Sequence, residues 1–186
     1  MPANKNDQAF NFFNPVFWGA KDPDVFTDLM QIAAKQTTGY HFADNMFVFQ
    51  RNNSMFHDEP FVKSWNDNAL SASDKGIVWR RYILAMAAYH CQHLEGDFVE
   101  CGAYQGVGAK TVIDYLGGPA FAKTFWLYDV FEHSQEMVNH SMPEHGAQLF
   151  DQVKARFKDY PRVNVIKGFL PDVLKEGCPE KIAYLH

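Results

Sequence analysis

No apolar run in this chain of 186 residues approaches the roughly 20 residues that a membrane-spanning helix needs. The opening Met1-Pro2-Ala3-Asn4-Lys5-Asn6-Asp7 has no apolar signal core. No membrane partner is expected. Runs of Lys or Arg are also missing: 17 basic residues face 22 acidic ones, a net charge of −5, so an extended phosphate-binding surface and a nucleic-acid partner are not expected. Cysteine is scarce. Cys91, Cys101 and Cys178 are odd in number, widely spaced and without Cys-x-x-Cys, which reads as unpaired thiols in a reduced compartment and a cytoplasmic location. There is no internal repeat and no low-complexity segment. What the chain has in quantity is apolar side chain, 47% with 16% aromatic, enough for a packed core.

Patterning divides the chain into residues 1–70 and 71–186. The first part is aromatic and free of strand alternation, and it reads as a helical or irregular cap. Asp22-Pro23 is a helix start, and Val25, Phe26, Leu29, Met30, Ile32 and Ala33 recur at helical spacing, predicting a helix over about 23–36. From Tyr40 to Trp65 no period is sustained, and the stretch reads as a lid over a pocket. In the second part Ser71-Ala72-Ser73-Asp74 is a capping box that predicts a helix running to Gly96. Strands at Phe98–Cys101, Thr124–Tyr128, Val163–Lys167 and Ile182–Leu185 then alternate with helices at Val107–Leu116, about 146–158 and Leu170–Lys175. The fold class is therefore α/β, a Rossmann-like doubly wound parallel sheet behind an N-terminal helical cap.

The first strand runs into Glu100-Cys101-Gly102-Ala103-Tyr104-Gln105-Gly106-Val107-Gly108. Glycine at such a turn reverses the chain tightly and lets a ligand lie against bare backbone, next to the free N–H groups of a helix start. A dinucleotide fingerprint requires Gly-x-Gly-x-x-Gly. The spacing here is Glu100-x-Gly102-x-x-x-Gly106, with an acid that can face an ammonium or sulfonium group. Asp129 ends the second strand, where an acid can accept hydrogen bonds from a ribose diol. In a doubly wound sheet the ends of strands one and two are neighbours, so Gly102 and Asp129 are expected to meet.

Strand-Glu-x-Gly-x-x-x-Gly resembles the first motif of S-adenosylmethionine-dependent methyltransferases. Four ordered blocks narrow the likeness: Tyr128-Asp129-Val130-Phe131-Glu132, Met142-Pro143-Glu144, Val163 to Leu174, and Ile182-Ala183-Tyr184-Leu185-His186. Over about residues 96–186 the chain is similar to the macrocin O-methyltransferase family, class I methyltransferases that act on sugar hydroxyls. The resemblance implies S-adenosylmethionine as cofactor, with Glu100 toward the methionine ammonium, Gly102 and Gly106 giving backbone access, Tyr104 beside the methionine portion and Asp129 on the ribose. It implies a small-molecule acceptor with a sugar hydroxyl. It also implies Mg²⁺ in the full-length protein, whose ligands and catalytic base are expected beyond residue 186, so that the chain reads as a C-terminally truncated fragment. Its fourth strand would then be an apolar edge open to homo-oligomer formation.

The family's Phe-Glu pair stands almost against its Met-Pro, whereas residues 133–141 intervene here. Glu132, His133, His140 and His145 in this loop are candidates on the substrate side, against the plainer reading of a solvated polar loop. His90 and His93 read as helix-surface residues, and Cys101 as a small buried filler. Two alternatives to methyl transfer stand: an NAD(P)-dependent oxidoreductase on a similar sheet, and a non-catalytic nucleoside-binding fragment.

Overall fold

The computed structural model describes residues 11–14, 18–50, 53–137, 142–175 and 177–186. The chain divides into two compact units, residues 1–83 and 84–186, and the division falls inside a long helix, C-terminal to the polar stretch near residue 70. Among the described residues no helix is long and apolar enough to cross a membrane.

In the first unit, the Asp22 side chain accepts from the Val25 N–H at 3.1 Å and starts helix α1 (Pro23–Lys35), with Pro23 in the first turn, where no N–H is needed. The expectation of a region without strands is corrected. Strands β1 (Phe12–Phe13), β2 (Tyr40–Ala43) and β3 (Met46–Phe49) form a sheet in that order, β1 parallel and β3 antiparallel to β2. Tyr40 pairs with Phe49 and Ala43 with Met46, so Asp44 and Asn45 alone make the turn. Both have positive φ, 52° and 57°, as a two-residue hairpin turn demands and as Asp and Asn tolerate. Alternation is unreadable because His41, Phe42 and Ala43 are all buried, leaving β2 no polar face.

The expected irregular lid also contains a helix, α2 (Glu59–Asn68), started by the Asp58 side chain accepting from Phe61 N–H at 3.2 Å. The Ser71–Asp74 capping box forms, yet its helix α3 (Ala72–Lys75) stops at Gly76 and does not continue to Gly96. Helix α4 (Val78–Cys91) starts anew. Its cap comes from the hairpin turn: the Asp44 carboxylate accepts from Trp79 N–H at 2.8 Å and Arg80 N–H at 3.3 Å. Burial pushes the Asp44 carboxyl above its ordinary value, against the opposing pull of those two N–H groups and the Arg80 charge.

In the second unit β4 (Asp97–Cys101), β5 (Phe125–Asp129), β6 (Val163–Lys167) and β7 (Ile182–Leu185) are all parallel, side by side in the order β6-β5-β4-β7. Counted within the sheet this is 3-2-1-4, the order in which a Rossmann-like sheet begins. On one face Phe98, Phe125, Leu127 and Tyr184 pack with Ala88 of α4, with Ala109, Val112 and Ile113 of α5 (Val107–Tyr115), and with Leu149, Val153 and Phe157 on and after α6 (Leu149–Arg156). The other face holds a smaller cluster of Val99, Tyr128 and Val173, flanked by Trp126 and Ile166.

Candidate functional site

A cavity of about 570 Å³ opens at the carboxyl ends of β4, β5 and β6, within the range of small-molecule sites. Gly102 and Tyr104 come to its wall from the loop after β4, Tyr128, Asp129 and Val130 from the end of β5, and Gly168, Phe169 and Leu170 from the turn after β6. Met142 and His145 complete it. The registers Cys101 to Tyr128 and Asp129 to Lys167 level the three strand ends so that their following turns converge, and Val130, Met142, Phe169 and Leu170 make the wall largely apolar.

The glycine turn is fastened to β5. Gly102 N–H and Ala103 N–H both donate to the Tyr128 carbonyl, at 2.8 and 3.2 Å. Gly102 has φ +93°, and a Cβ built there meets nothing within 4 Å, so the glycine serves the turn and leaves its backbone open. The Asp129 carboxylate closes the turn from the other side. Its Oδ2 accepts from Tyr104 N–H and its Oδ1 from Phe131 N–H, each at 2.7 Å. Tyr104 and Phe131 both sit at positive φ, 47° and 57°, a conformation that side-chain-bearing residues keep only when neighbours hold it. Each carboxylate oxygen retains a second lone-pair direction for a ligand hydroxyl.

Glu100 and Gly106 do not reach the cavity wall. Glu100 pairs in register with Leu127, so alternation puts it on the same sheet face as Asp129, but it is only 5% exposed. Its Oε1 lies 3.1 Å from His186 Nδ1, and its Oε2 is buried with no hydrogen-bonding partner among the described residues. Gly106 stands at φ +70°, where a Cβ would come within 2.7 Å of Phe157 Cε2. Its lack of a side chain answers to helix packing, not to ligand access.

No family model matches this chain, and no curated protein matches it.

The loop before α6 brings His145 to the cavity. Met142 N–H donates to His145 Nδ1 at 3.1 Å, which makes that nitrogen the acceptor and puts the proton of the neutral ring on Nε2. The ring meets Tyr104 edge-on at 5.3 Å, and His133 lies parallel to it at 6.2 Å. Glu132 is turned aside into an ion pair with Lys167. His140 lies outside the described residues. Among the described residues no group of three or more His, Cys, Asp or Glu could hold a metal ion. Cys101 is exposed, not the expected buried filler, because alternation turns it to the sheet face that carries only the small Val99 cluster.

Val130, Met142, Gly168, Phe169 and Leu170 line the cavity without having been singled out as site residues. Gly168 was the available signal: a Cβ there would fall 2.9 Å from Val173 Cβ, so the turn after β6 requires glycine, like the one after β4. Tyr128 is held in the wall by its hydroxyl, which donates to the Gly177 carbonyl at 2.6 Å. Burial, with smaller contributions from Cys178 and Cys101, pushes that hydroxyl up to about 12.

Proposed function

We propose that this chain binds S-adenosylmethionine and forms the cofactor-binding part of an O-methyltransferase acting on a hydroxyl of a sugar or glycosylated small molecule. The observation that carries the reading is the juncture of the Gly102 turn with the Asp129 carboxylate at the rim of a largely apolar cavity. Val130, Phe169 and Leu170 suit a flat heteroaromatic base, and the unused lone-pair directions of Asp129 suit a ribose diol. The turn after β4 lacks the Gly-x-Gly-x-x-Gly of a dinucleotide site.

When bound, the cofactor supplies an electrophilic methyl group on a sulfonium. The chain's own residues bind and orient it: Asp129 and the Gly102 backbone at one end, and the apolar wall of Val130, Phe169 and Leu170 around the base. Tyr104 and His145 stand together on the cavity wall, where His145 has a polar Nε2–H to offer an acceptor hydroxyl. The family it resembles employs a divalent metal, but the described residues include no donor set that fits one, and metal assistance is no part of the chemistry derived for them.

Isothermal calorimetry with S-adenosylhomocysteine and NADH in parallel tests the proposal. The homocysteine analogue should bind and NADH should not. Binding of NADH alone would replace the methyl-donor reading by the oxidoreductase one, and binding of neither would reject both.

A further inference from the structure

The turn that brings His145 to the cavity is closed twice. Met142-Pro143-Glu144-His145 has proline at its second position, where a fixed backbone angle suits a β-turn, and the His145 N–H donates to the Met142 carbonyl at 3.0 Å. The Met142 N–H returns a bond to His145 Nδ1 at 3.1 Å. Gly146 N–H then donates to the Phe131 carbonyl, also at 3.1 Å, and fastens the turn to the chain leaving β5. Both ends of the turn, Met142 and His145, lie in the cavity wall.

The second closure depends on charge. A backbone N–H can only donate, so this bond exists only while Nδ1 keeps a bare lone pair. An imidazole takes up its second proton between about pH 8 and pH 5, and in this ring Nδ1 is the nitrogen that receives it. A donor then faces a donor. Around the ring, Tyr104 meets it edge-on at 5.3 Å and His133 lies parallel at 6.2 Å; a charged His133 opposes the second charge, because both rings titrate in one range. Asp129 on the same wall and Glu144 inside the turn favour it, although both Asp129 oxygens already accept backbone N–H groups. Glu132 is paired with Lys167, and the turn after β6 meets the cavity with the uncharged Gly168, Phe169 and Leu170.

We infer that His145 is a pH-operated latch on the cavity: its neutral ring holds the Met142–His145 turn in the wall, and protonation at Nδ1 releases it. A ligand that needs the formed wall binds the deprotonated state, so affinity is highest above the imidazole range and falls as pH drops through it. Loss of one hydrogen bond corresponds to an affinity about five- to ten-fold weaker. The latch belongs to the wall itself and does not depend on which ligand fills the cavity.

An NMR titration of the full chain from about pH 8 to about pH 5, with calorimetry of S-adenosylhomocysteine at both ends, tests this. At the upper end the imidazole nitrogen shifts should show His145 protonated on Nε2 alone, and the Met142 amide should titrate with the same midpoint as the His145 ring. His145→Asn places an oxygen acceptor, Oδ1, where Nδ1 stood, on a group that does not titrate, so its Met142 amide should hold still and its affinity should no longer change with pH. His133→Gln should leave the Met142 titration in place, which separates the ring that bonds the turn from the ring beside it. A proton on Nδ1 at the upper end, a Met142 amide that ignores pH, a His145→Asn variant that titrates like the wild type, or a Met142 titration lost with His133 overturns the latch, as does equal affinity for S-adenosylhomocysteine at the two ends. Failure to bind at either pH counts against the methyl-donor reading, and the Met142 amide then decides the latch by itself.

Discussion

Replacing Asp129 by Ala removes both acceptors that hold Tyr104 N–H and Phe131 N–H at 2.7 Å. Each hydrogen bond to a charged group contributes about 1.5–3 kcal/mol, so the gross loss is about 3–6 kcal/mol. Part of it returns. Tyr104 and Phe131 are held at φ 47° and 57°, and relaxing two left-handed residues recovers about 1–2 kcal/mol each. The net loss of folding stability is then about 1–2 kcal/mol, measured by urea denaturation followed through the fluorescence of Trp126 on the same strand. Because the relaxed turn no longer shapes the cavity wall, affinity for S-adenosylhomocysteine should fall by more than the tenfold that this stability change alone represents. Asp129→Asn should be no better than Ala: the amide keeps one acceptor and points a donor at the other N–H. An Asn variant with wild-type stability would refute the double-acceptor role, and an Ala variant with an unchanged urea midpoint would refute the clamp altogether.

Gly106→Ala should lower stability by about 2–3 kcal/mol, from the left-handed backbone and from the approach of Cβ to Phe157 Cε2 at 2.7 Å; adding Phe157→Leu should restore part of the melting temperature. At Asp44 the folded state holds a proton more tightly than the unfolded chain, whose ordinary value is 3.8. Stability from this group is therefore highest below that value and falls as pH rises through the raised folded one. Asp44→Asn should flatten that part of a pH series of urea midpoints, while Asp44→Ala should cost about 1–2 kcal/mol as a lost helix cap. Alkaline absorbance titration should show a tyrosine ionising near about 12, and Tyr128→Phe should abolish that step.

The parallel sheet was legible because each of its strands is a short apolar run bounded by glycine, proline or a polar turn, and because helices intervene at regular spacing. Hence the strands expected from Phe98, Thr124, Val163 and Ile182 all occur, within a residue or so of the expected ends. The first unit was not legible by the same rule. Strand β2 is covered on both faces, and its hairpin turn is Asp44-Asn45 without the glycine that usually marks such a turn. Helix α2 announced itself only through Asp58-Glu59-Pro60, a start signal inside an aromatic stretch with no clean period.

Local chemistry alone determined which residues could cap helices, turn the chain or accept a cation: Asp22, Ser71, Gly102, Glu100 and Asp129 were identifiable from type and spacing. Tertiary structure decided which of them share a cavity. Strand register brings Asp129 and the turn after β6 to one level, while the pairing of β4 with β7 sets Glu100 beside His186, and the packing of Phe157 accounts for Gly106. Spacing along a chain records the local backbone, but the distance between two strand ends is set by pairing between residues far apart in sequence, and that pairing exists only in the assembled sheet.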